Sequence, residues 1–365
     1  MNNVLPVLGS IFYNPSEHRL RAPWRILIEI LLSVSVIGML SLLAAFLIAF
    51  LLLLTFQIPF SALGNGQFIL EINAAFSRLP LLLGIRSLVV LVLVGLAFWL
   101  LARWIDRRPW RDYGFHFNTV WWRDLGFGLF LGTLLMALIF GVEYLLGWVS
   151  VSGTLENGQP QMPFWQLLVS GFLAYILVGF EEELFARGYL IRNLAEGLHL
   201  PRINSKTAVL IAYLLTSVFF GFLHGGNANA TLVSSLNLSL AGLFLGLGFV
   251  LTGELAIPIG LHIAWNFVQG YVFGFPVSGV DHHISLLAMH QSGPAVWTGG
   301  AFGPEGGLIG VFAFLLGLLG VYAYVRWTHR RAAVDTDLAE YKPVHPVEPA
   351  AAPSLVQDQA AAPHM

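Results

Sequence analysis

Long apolar runs separated by short polar segments dominate the chain. A helix needs about 20 apolar residues to cross about 30 Å of hydrocarbon, and eight runs approach or exceed that length. They lie at about 26–56, 87–102, 124–149, 164–190, 207–224, 235–252, 256–274 and 306–325. The pattern predicts an all-α fold, a polytopic bundle of about eight transmembrane helices. The first helix is longer than one crossing requires, which indicates tilt or an interfacial extension.

Basic residues fall mainly on one side of the predicted bundle. Fifteen lie in segments that would face the cytosol, and two, Arg78 and Arg86, lie in the outside loops. Arg187 lies within a helix and belongs to neither group. Because cytosolic loops of membrane proteins carry an excess of Lys and Arg, the distribution predicts two cytosolic termini and an even number of spans.

The apolar runs and the polar ends divide the chain into five predicted segments. These are a cytosolic N-terminal segment 1–25, N-terminal transmembrane helices 26–163, a catalytic core 164–275, an outside loop with the last helix 276–327, and a disordered cytosolic tail 328–365. From about residue 333 the tail is rich in Ala and Pro with few large apolar residues, so it is predicted to bury no core.

Composition supports a membrane protein. Of 365 residues, 57% are hydrophobic and 10% are charged, whereas soluble domains carry about 25% charged residues. The net charge of -2 gives no basic excess that would indicate a nucleic-acid partner. The chain has no Cys, which excludes disulfides and a Cys nucleophile. We therefore predict a multi-pass protein of the cell membrane, embedded in lipid, with an oligomeric state that the sequence does not indicate.

One apolar run contains four charged residues within two helical turns: Glu181, Glu182, Glu183 and Arg187. Each charge inside a span costs roughly 2.5–3.5 kcal/mol on insertion scales and so marks a functional hypothesis. Glu183 and Arg187 are four residues apart and can pair on one helix face. Glu182 is rotated by about 100° and lacks that partner, so it is a candidate general base. The structural alternative is a helix end with solvated acids.

Two later runs carry histidines. His224 ends the fifth run, one helical turn after Phe220, and His262 and Asn266 lie one turn apart in the seventh run. A capping histidine and a hydrogen bond between packed helices are the structural alternatives. If the three polar faces converge, the bundle contains a pocket with a carboxylate, two imidazoles and an amide. Such a pocket can activate water and stabilise a tetrahedral intermediate.

In order and spacing these residues resemble the motifs of the CPBP family, which includes type II CAAX prenyl endopeptidases and bacteriocin-processing enzymes. The EExxxR motif runs from Glu182 to Arg187, FxxxH from Phe220 to His224, and HxxxN from His262 to Asn266. The resemblance covers roughly residues 164–275. It implies an intramembrane endopeptidase that acts on a membrane-associated protein or peptide, including prenylated CAAX-type substrates.

The resemblance also implies roles for single residues. Glu182 and His224 would activate water, His262 and Asn266 would stabilise the oxyanion, and the pair of Glu183 with Arg187 would brace the site. The family is also described as metalloproteases, and a divalent metal such as zinc would then be held by Glu182, His224 and His262. The sequence leaves both mechanisms open, because one Glu and two His suit either.

A shared water sets a geometric condition. His224 lies roughly 25 Å along the fifth helix if that helix begins at residue 207 and rises about 1.5 Å per residue. Glu182 meets it only if the fourth helix continues to about Leu194 and carries its charged turns into the bilayer. A separation of more than about 10 Å between Glu182 and His224 would exclude the shared site.

Other functions compete with the protease hypothesis. Gly225, Gly226 and the Gly-rich sixth run are compatible with the broken helices of a transporter. An inactive family member acting as an immunity or scaffold protein is a further alternative. Asp281, His282 and His283 in the outside loop could bind a metal, but flanking Gly and Pro favour a solvated loop.

Overall fold

A computed structural model describes residues 11–55 and 81–341. Within these ranges, six helices are long and apolar enough to cross a membrane: Gly84–Asp106, Thr119–Leu145, Phe164–Leu198, Ser205–Gly226, Leu232–Thr252 and Leu308–Thr328. The all-α, polytopic fold is confirmed. The total of eight spans and the cytosolic position of the termini stay predictions.

Helices account for most of the described chain. In order they are α1 Ala22–Thr55, α2 Leu81–Leu101, α3 Thr119–Leu145, α4 Phe164–Glu183, α5 Arg192–Leu198, α6 Ser205–Leu223, α7 Leu232–Thr252, α8 Ala256–Phe267, α9 Ala295–Thr298 and α10 Leu308–Thr328. The strands are β1 Tyr13–Asn14, β2 Arg19–Leu20, β3 Val149–Asn157 and β4 Ile284–Gln291. Every predicted apolar run overlaps one of these helices. With 12 residues, α8 is shorter than a full crossing needs.

Short polar side chains determine where several helices begin. Asn118 and Asn204 each accept a hydrogen bond from the backbone N–H three residues later, at the starts of α3 and α6. Thr231 and Ser234 form a reciprocal capping box at the start of α7. Gly253, with a φ of 72°, ends the same helix in the left-handed region that favours glycine.

The fourth membrane element does not end with α4 at Glu183. Residues Leu184–Ile191 form π-helical turns that lead directly into α5, so one helical element runs over Phe164–Leu198. The continuation to about Leu194 that a shared site requires is therefore present. Wide π turns inside a helix occur frequently at functional sites.

Helix α8 lies in the interior of the bundle. Residues 256–265 are all buried, and small residues of the neighbouring helices allow close approach. A Cβ atom at Gly128 of α3 would lie 2.5 Å from the carbonyl oxygen of Ile257, and one at Gly179 of α4 would lie 2.7 Å from Cγ1 of Ile263. The short helix is thus held between α3 and α4, which places His262 near the centre of the protein.

A two-stranded sheet joins two loops that the sequence predicts to lie outside the membrane. Strands β3 and β4 pair antiparallel, with Val149 opposite Gln291 and Asn157 opposite Ile284. The sheet connects the chain after α3 to the chain after α8. We did not predict these strands from the sequence.

Part of the segment that the sequence predicts to be a disordered tail is ordered and packed. Leu338 is fully buried, and the N–H of Asp335 donates to the carbonyl of Val250 at 2.8 Å. The segment packs against α5 and α6, and Nη1 of Arg192 donates to the carbonyl of Asp337 at 3.3 Å. Residues 342–365 of the predicted tail lie outside the described residues, as do residues 1–10 and 56–80.

Replacing Leu338 with Ala is expected to release this segment. Removing a buried Leu side chain costs about 2–5 kcal/mol, and the exposed Arg330 and Arg331 precede the anchored stretch. We expect faster tryptic cleavage at these two arginines in Leu338→Ala than in the wild type. The exposed Glu340→Ala serves as the control. Equal cleavage of Leu338→Ala and wild type would show that the segment is anchored elsewhere.

Candidate active site

Glu183 of α4 is the centre of a buried network of polar side chains. Its Oε1 accepts a hydrogen bond from Nη1 of Arg187 at 3.0 Å and lies 2.7 Å from Nδ1 of His262. Nη2 of Arg187 donates to the carbonyl of Gly242 at 3.1 Å. The pair expected from the helical spacing therefore forms, and the same carboxylate also reaches α8.

The contact with Glu183 orients the imidazole of His262. Because an ionised carboxylate only accepts hydrogen bonds, Nδ1 of His262 carries the proton in this contact. Nε2 points away from Glu183 and lies 3.9 Å from Oε2 of Glu182. That distance is too long for a direct hydrogen bond, but it allows both atoms to contact one water molecule.

His224 is oriented in a similar way at the end of α6. Its Nδ1 lies 2.8 Å from the carbonyl oxygen of Phe220, so Nδ1 is the donor. The ring of Phe220 is close to both imidazoles, with its centroid 4.8 Å from that of His224 and 6.2 Å from that of His262. The guanidinium of Arg187 lies 4.5 Å from the centroid of the same ring. The carbonyl of Phe220 thus orients His224, whose Nε2 has no hydrogen-bond partner among the described residues.

Phe220 and the two histidines line a cavity of about 290 Å³, which we call the central cavity. Its polar wall includes Glu182, His224, His262 and Asn266. Asn266 has no hydrogen-bond partner among the side chains that the structure describes. A second cavity, the side cavity, also includes Glu182 and His224, together with apolar residues of α6 and of the π turns after α4. The two residues therefore share both cavities, as a common water requires.

Comparison with known proteins supports the family resemblance that the sequence motifs indicate. Residues 163–268 match the family model described as type II CAAX prenyl endopeptidase Rce1-like. The predicted family resemblance is confirmed. The chain is also 25% identical over 214 residues to the uncharacterized protein YyaK of Bacillus subtilis (strain 168). The aligned region covers 58% of this chain and 68% of YyaK. No solved structure matches the chain significantly.

The Rce1-like segment contains side chains that are suitable metal ligands, but among the described residues they are not close enough together to bind one ion. One carboxylate and two imidazoles from Glu182, His224 and His262 have the chemistry of a zinc site. Within residues 11–55 and 81–341, no three His, Asp or Glu side chains are grouped closely enough to hold an ion. As arranged, the central cavity does not form a three-ligand site.

The far end of the central cavity contains residues beyond the three motifs. Tyr175 of α4 has its hydroxyl 2.7 Å from Nε2 of His282. Glu305 is buried and accepts hydrogen bonds from the N–H of Ser278, at 2.5 Å, and from the side chain of Gln269. Burial raises the pKa of Glu305 to about 7, although these hydrogen bonds oppose the shift. Glu305 lies outside the Rce1-like segment but faces its cavity.

The sequence motifs do not identify Glu305, His282 or Tyr175 as site residues, and the reason differs for each. Glu305 lies in a Gly- and Pro-rich loop with no helical spacing to relate it to the motifs. His282 belongs to the outside cluster for which a solvated loop was favoured. Asp281 and His283 are exposed as expected, whereas His282 turns inward to Tyr175. The spacing of seven residues between Tyr175 and Glu182, two turns on one helix face, is the signal that could have identified Tyr175.

Proposed function

We propose that the protein is an intramembrane endopeptidase of the cell membrane that hydrolyses a peptide bond in a membrane-associated protein or peptide. The observation that carries the proposal is the central cavity of the Rce1-like segment, where Glu182, His224, His262 and Asn266 converge. An intramembrane protease is what the family match supports. In more detail, we propose that Glu182 and His224 activate the water without a metal and that the substrate is prenylated.

In this mechanism Glu182 is the general base. Its Oε2 has no hydrogen-bond partner among the described residues, and Nε2 of His224 is free to hold the same water. Glu182 removes a proton as the water oxygen attacks the carbonyl carbon of the peptide bond. The proton is then transferred to the leaving amine. A positioned base and acid of this kind typically contributes about 10²–10⁴-fold to the rate.

His262 and Asn266 are placed to stabilise the oxyanion. The ring of His262 lies between Glu183 and Glu182, and two neighbouring carboxylates stabilise an imidazolium. The Nε2–H of that form and the amide of Asn266 can donate to the negative oxygen of the intermediate. Loss of one such donor typically reduces kcat by about 10²–10³-fold.

The side cavity supports entry of a substrate from the lipid. It is lined by Phe185 of the π turns and by Phe219 and Leu223 of α6, in addition to the shared polar residues. Phe219 and Leu223 are exposed large apolar side chains, as expected for surfaces that face hydrocarbon. A lipid-modified or membrane-embedded peptide could reach Glu182 by this route, between α4 and α6.

Cleavage of defined peptides tests the proposal. We expect purified wild-type protein in liposomes to cleave membrane-anchored peptides, with His224→Ala reducing kcat at least about 100-fold because the water loses a ligand. His283→Ala, which changes an exposed loop histidine, is the matched control. Prenylated and unprenylated forms of each peptide identify the substrate class, and a strong chelator tests for a metal. Solute flux without cleavage would favour a transporter instead.

A further inference from the structure

A further cleft of about 520 Å³ lies at the C-terminal end of α2. We call it the arginine cleft, and its lining shares no residue with that of the central cavity. It is formed by the end of α2, the π turn Ala102–Asp106 and the chain that leads to α3. The residues that give it its character are Trp99, Arg103, Arg108, Trp110, Arg111 and His116. None of them belongs to the Rce1-like segment.

The lining of the arginine cleft includes three arginines and no Asp or Glu. Arg103 and Arg111 are exposed. Arg108 is buried, with its Nη2 on Glu196 and its Nε 3.4 Å from Asp106, while Nη1 has no acceptor among the described residues. The guanidinium of Arg108 is fully buried behind the cleft wall, so the exposed Arg103 and Arg111 are the cations that a ligand in the cleft can contact directly.

The neighbouring acids are already paired. Asp106 lies 3.2 Å from Arg25 and accepts from the hydroxyl of Tyr113 at 2.7 Å. Glu196 is contacted by three guanidinium groups, those of Arg19, Arg25 and Arg108. Glu17 also pairs with Arg19 at 2.7 Å, so three carboxylates balance the three buried arginines. The positive charge that remains at the cleft is that of the exposed Arg103 and Arg111.

Aromatic residues place the cleft at the boundary of the bilayer. The apolar span that forms one wall ends at Asp106, and Trp99 and Trp104 near its end are both exposed. Exposed tryptophans are enriched at the level of lipid headgroups. Trp110 stacks on Phe115 with a centroid distance of 4.8 Å, which gives the cleft a rigid floor beside its charged rim.

We propose that the arginine cleft binds a phosphate group, supplied by the headgroup of an anionic phospholipid. Guanidinium groups match phosphate oxygens with paired hydrogen bonds, and basic pockets beside membrane helices bind anionic headgroups. A general excess of positive charge on one membrane face explains exposed arginines. It does not explain a cleft whose lining combines two exposed arginines with an exposed tryptophan and a stacked aromatic pair.

Lipid binding to the full-length protein in detergent tests this site. Native mass spectrometry would count bound phosphatidylglycerol and phosphatidylcholine, with inorganic phosphate as a competitor. We expect wild type to bind phosphatidylglycerol at least about tenfold more tightly than phosphatidylcholine, and Arg103→Gln/Arg111→Gln to lose that preference. The control Arg202→Gln/Arg331→Gln removes the same charge at exposed positions elsewhere on the predicted cytosolic face.

The outcomes separate the sources of the phosphate. Retained preference in the control and lost preference in the first double variant would support the site. Equal binding of the two lipids by the wild type, or equal loss in both double variants, would overturn it. Displacement of phosphatidylglycerol by inorganic phosphate at similar concentration would overturn the lipid assignment in favour of a soluble anion. Unchanged thermal unfolding of the lipid-free variants shows that they are folded.

Discussion

Glu182→Gln is expected to abolish peptide cleavage while leaving the fold intact. Glutamine has nearly the shape of glutamate but cannot take a proton from water, so the general base is lost. Glu182 is partly exposed in the central cavity, and its Oε2 makes no hydrogen bond with the described residues, so little stability depends on its charge. We expect kcat/KM for a membrane-anchored peptide to fall by about 10³-fold, within the range attributed to general bases.

The neighbouring Glu181 provides the matched control. Glu181→Gln makes the same chemical change one position earlier in the same helix, but Glu181 lines neither the central nor the side cavity. We expect its kcat/KM to stay within about threefold of the wild type, as for most substitutions away from a site. Rates for Glu182→Gln close to those of Glu181→Gln would remove Glu182 from the proposed role of base.

The helices could be predicted from the sequence because each is determined locally. A backbone in hydrocarbon must satisfy its own hydrogen bonds, so an apolar run of sufficient length becomes a helix whatever its neighbours are. The tail shows the limit of the same reasoning. Composition averaged over residues 328–365 predicts disorder, but the buried Leu338 and several hydrogen bonds to the folded chain hold residues 335–341 in place.

The candidate site was predictable in its local contacts but not in its long-range ones. The pair of Glu183 with Arg187 follows from helical spacing, and the structure contains it. The contact of Glu183 with His262 joins residues 79 positions apart, and it depends on how closely α4 approaches α8 at Gly179. The spacing of residues along the sequence does not predict how closely these two helices approach each other. For the same reason nothing in the sequence relates His282 and Glu305 to the motifs, although both line the central cavity from loops.

We propose that the contact with His262 gives Glu183 a second function, which its position in the motif does not indicate. As well as pairing with Arg187, Glu183 fixes the tautomer of His262 and directs Nε2 towards Glu182. A residue that acts in this way is a positioning residue. Its loss should affect both the stability of the bundle and the catalytic rate, and the two effects can be separated.

Glu183→Ala is expected to destabilise the protein by about 3–5 kcal/mol, because it leaves Arg187 as an unpaired buried charge. The double variant Glu183→Ala/Arg187→Met removes that charge, so thermal unfolding in detergent should recover most of the lost Tm. Peptide cleavage should not recover, since His262 is still without the acceptor that orients it, and kcat should stay at least about 10²-fold below wild type. Recovery of both Tm and kcat in the double variant would show that Glu183 only neutralises Arg187. Loss of kcat with full recovery of Tm would support the positioning of His262 by Glu183.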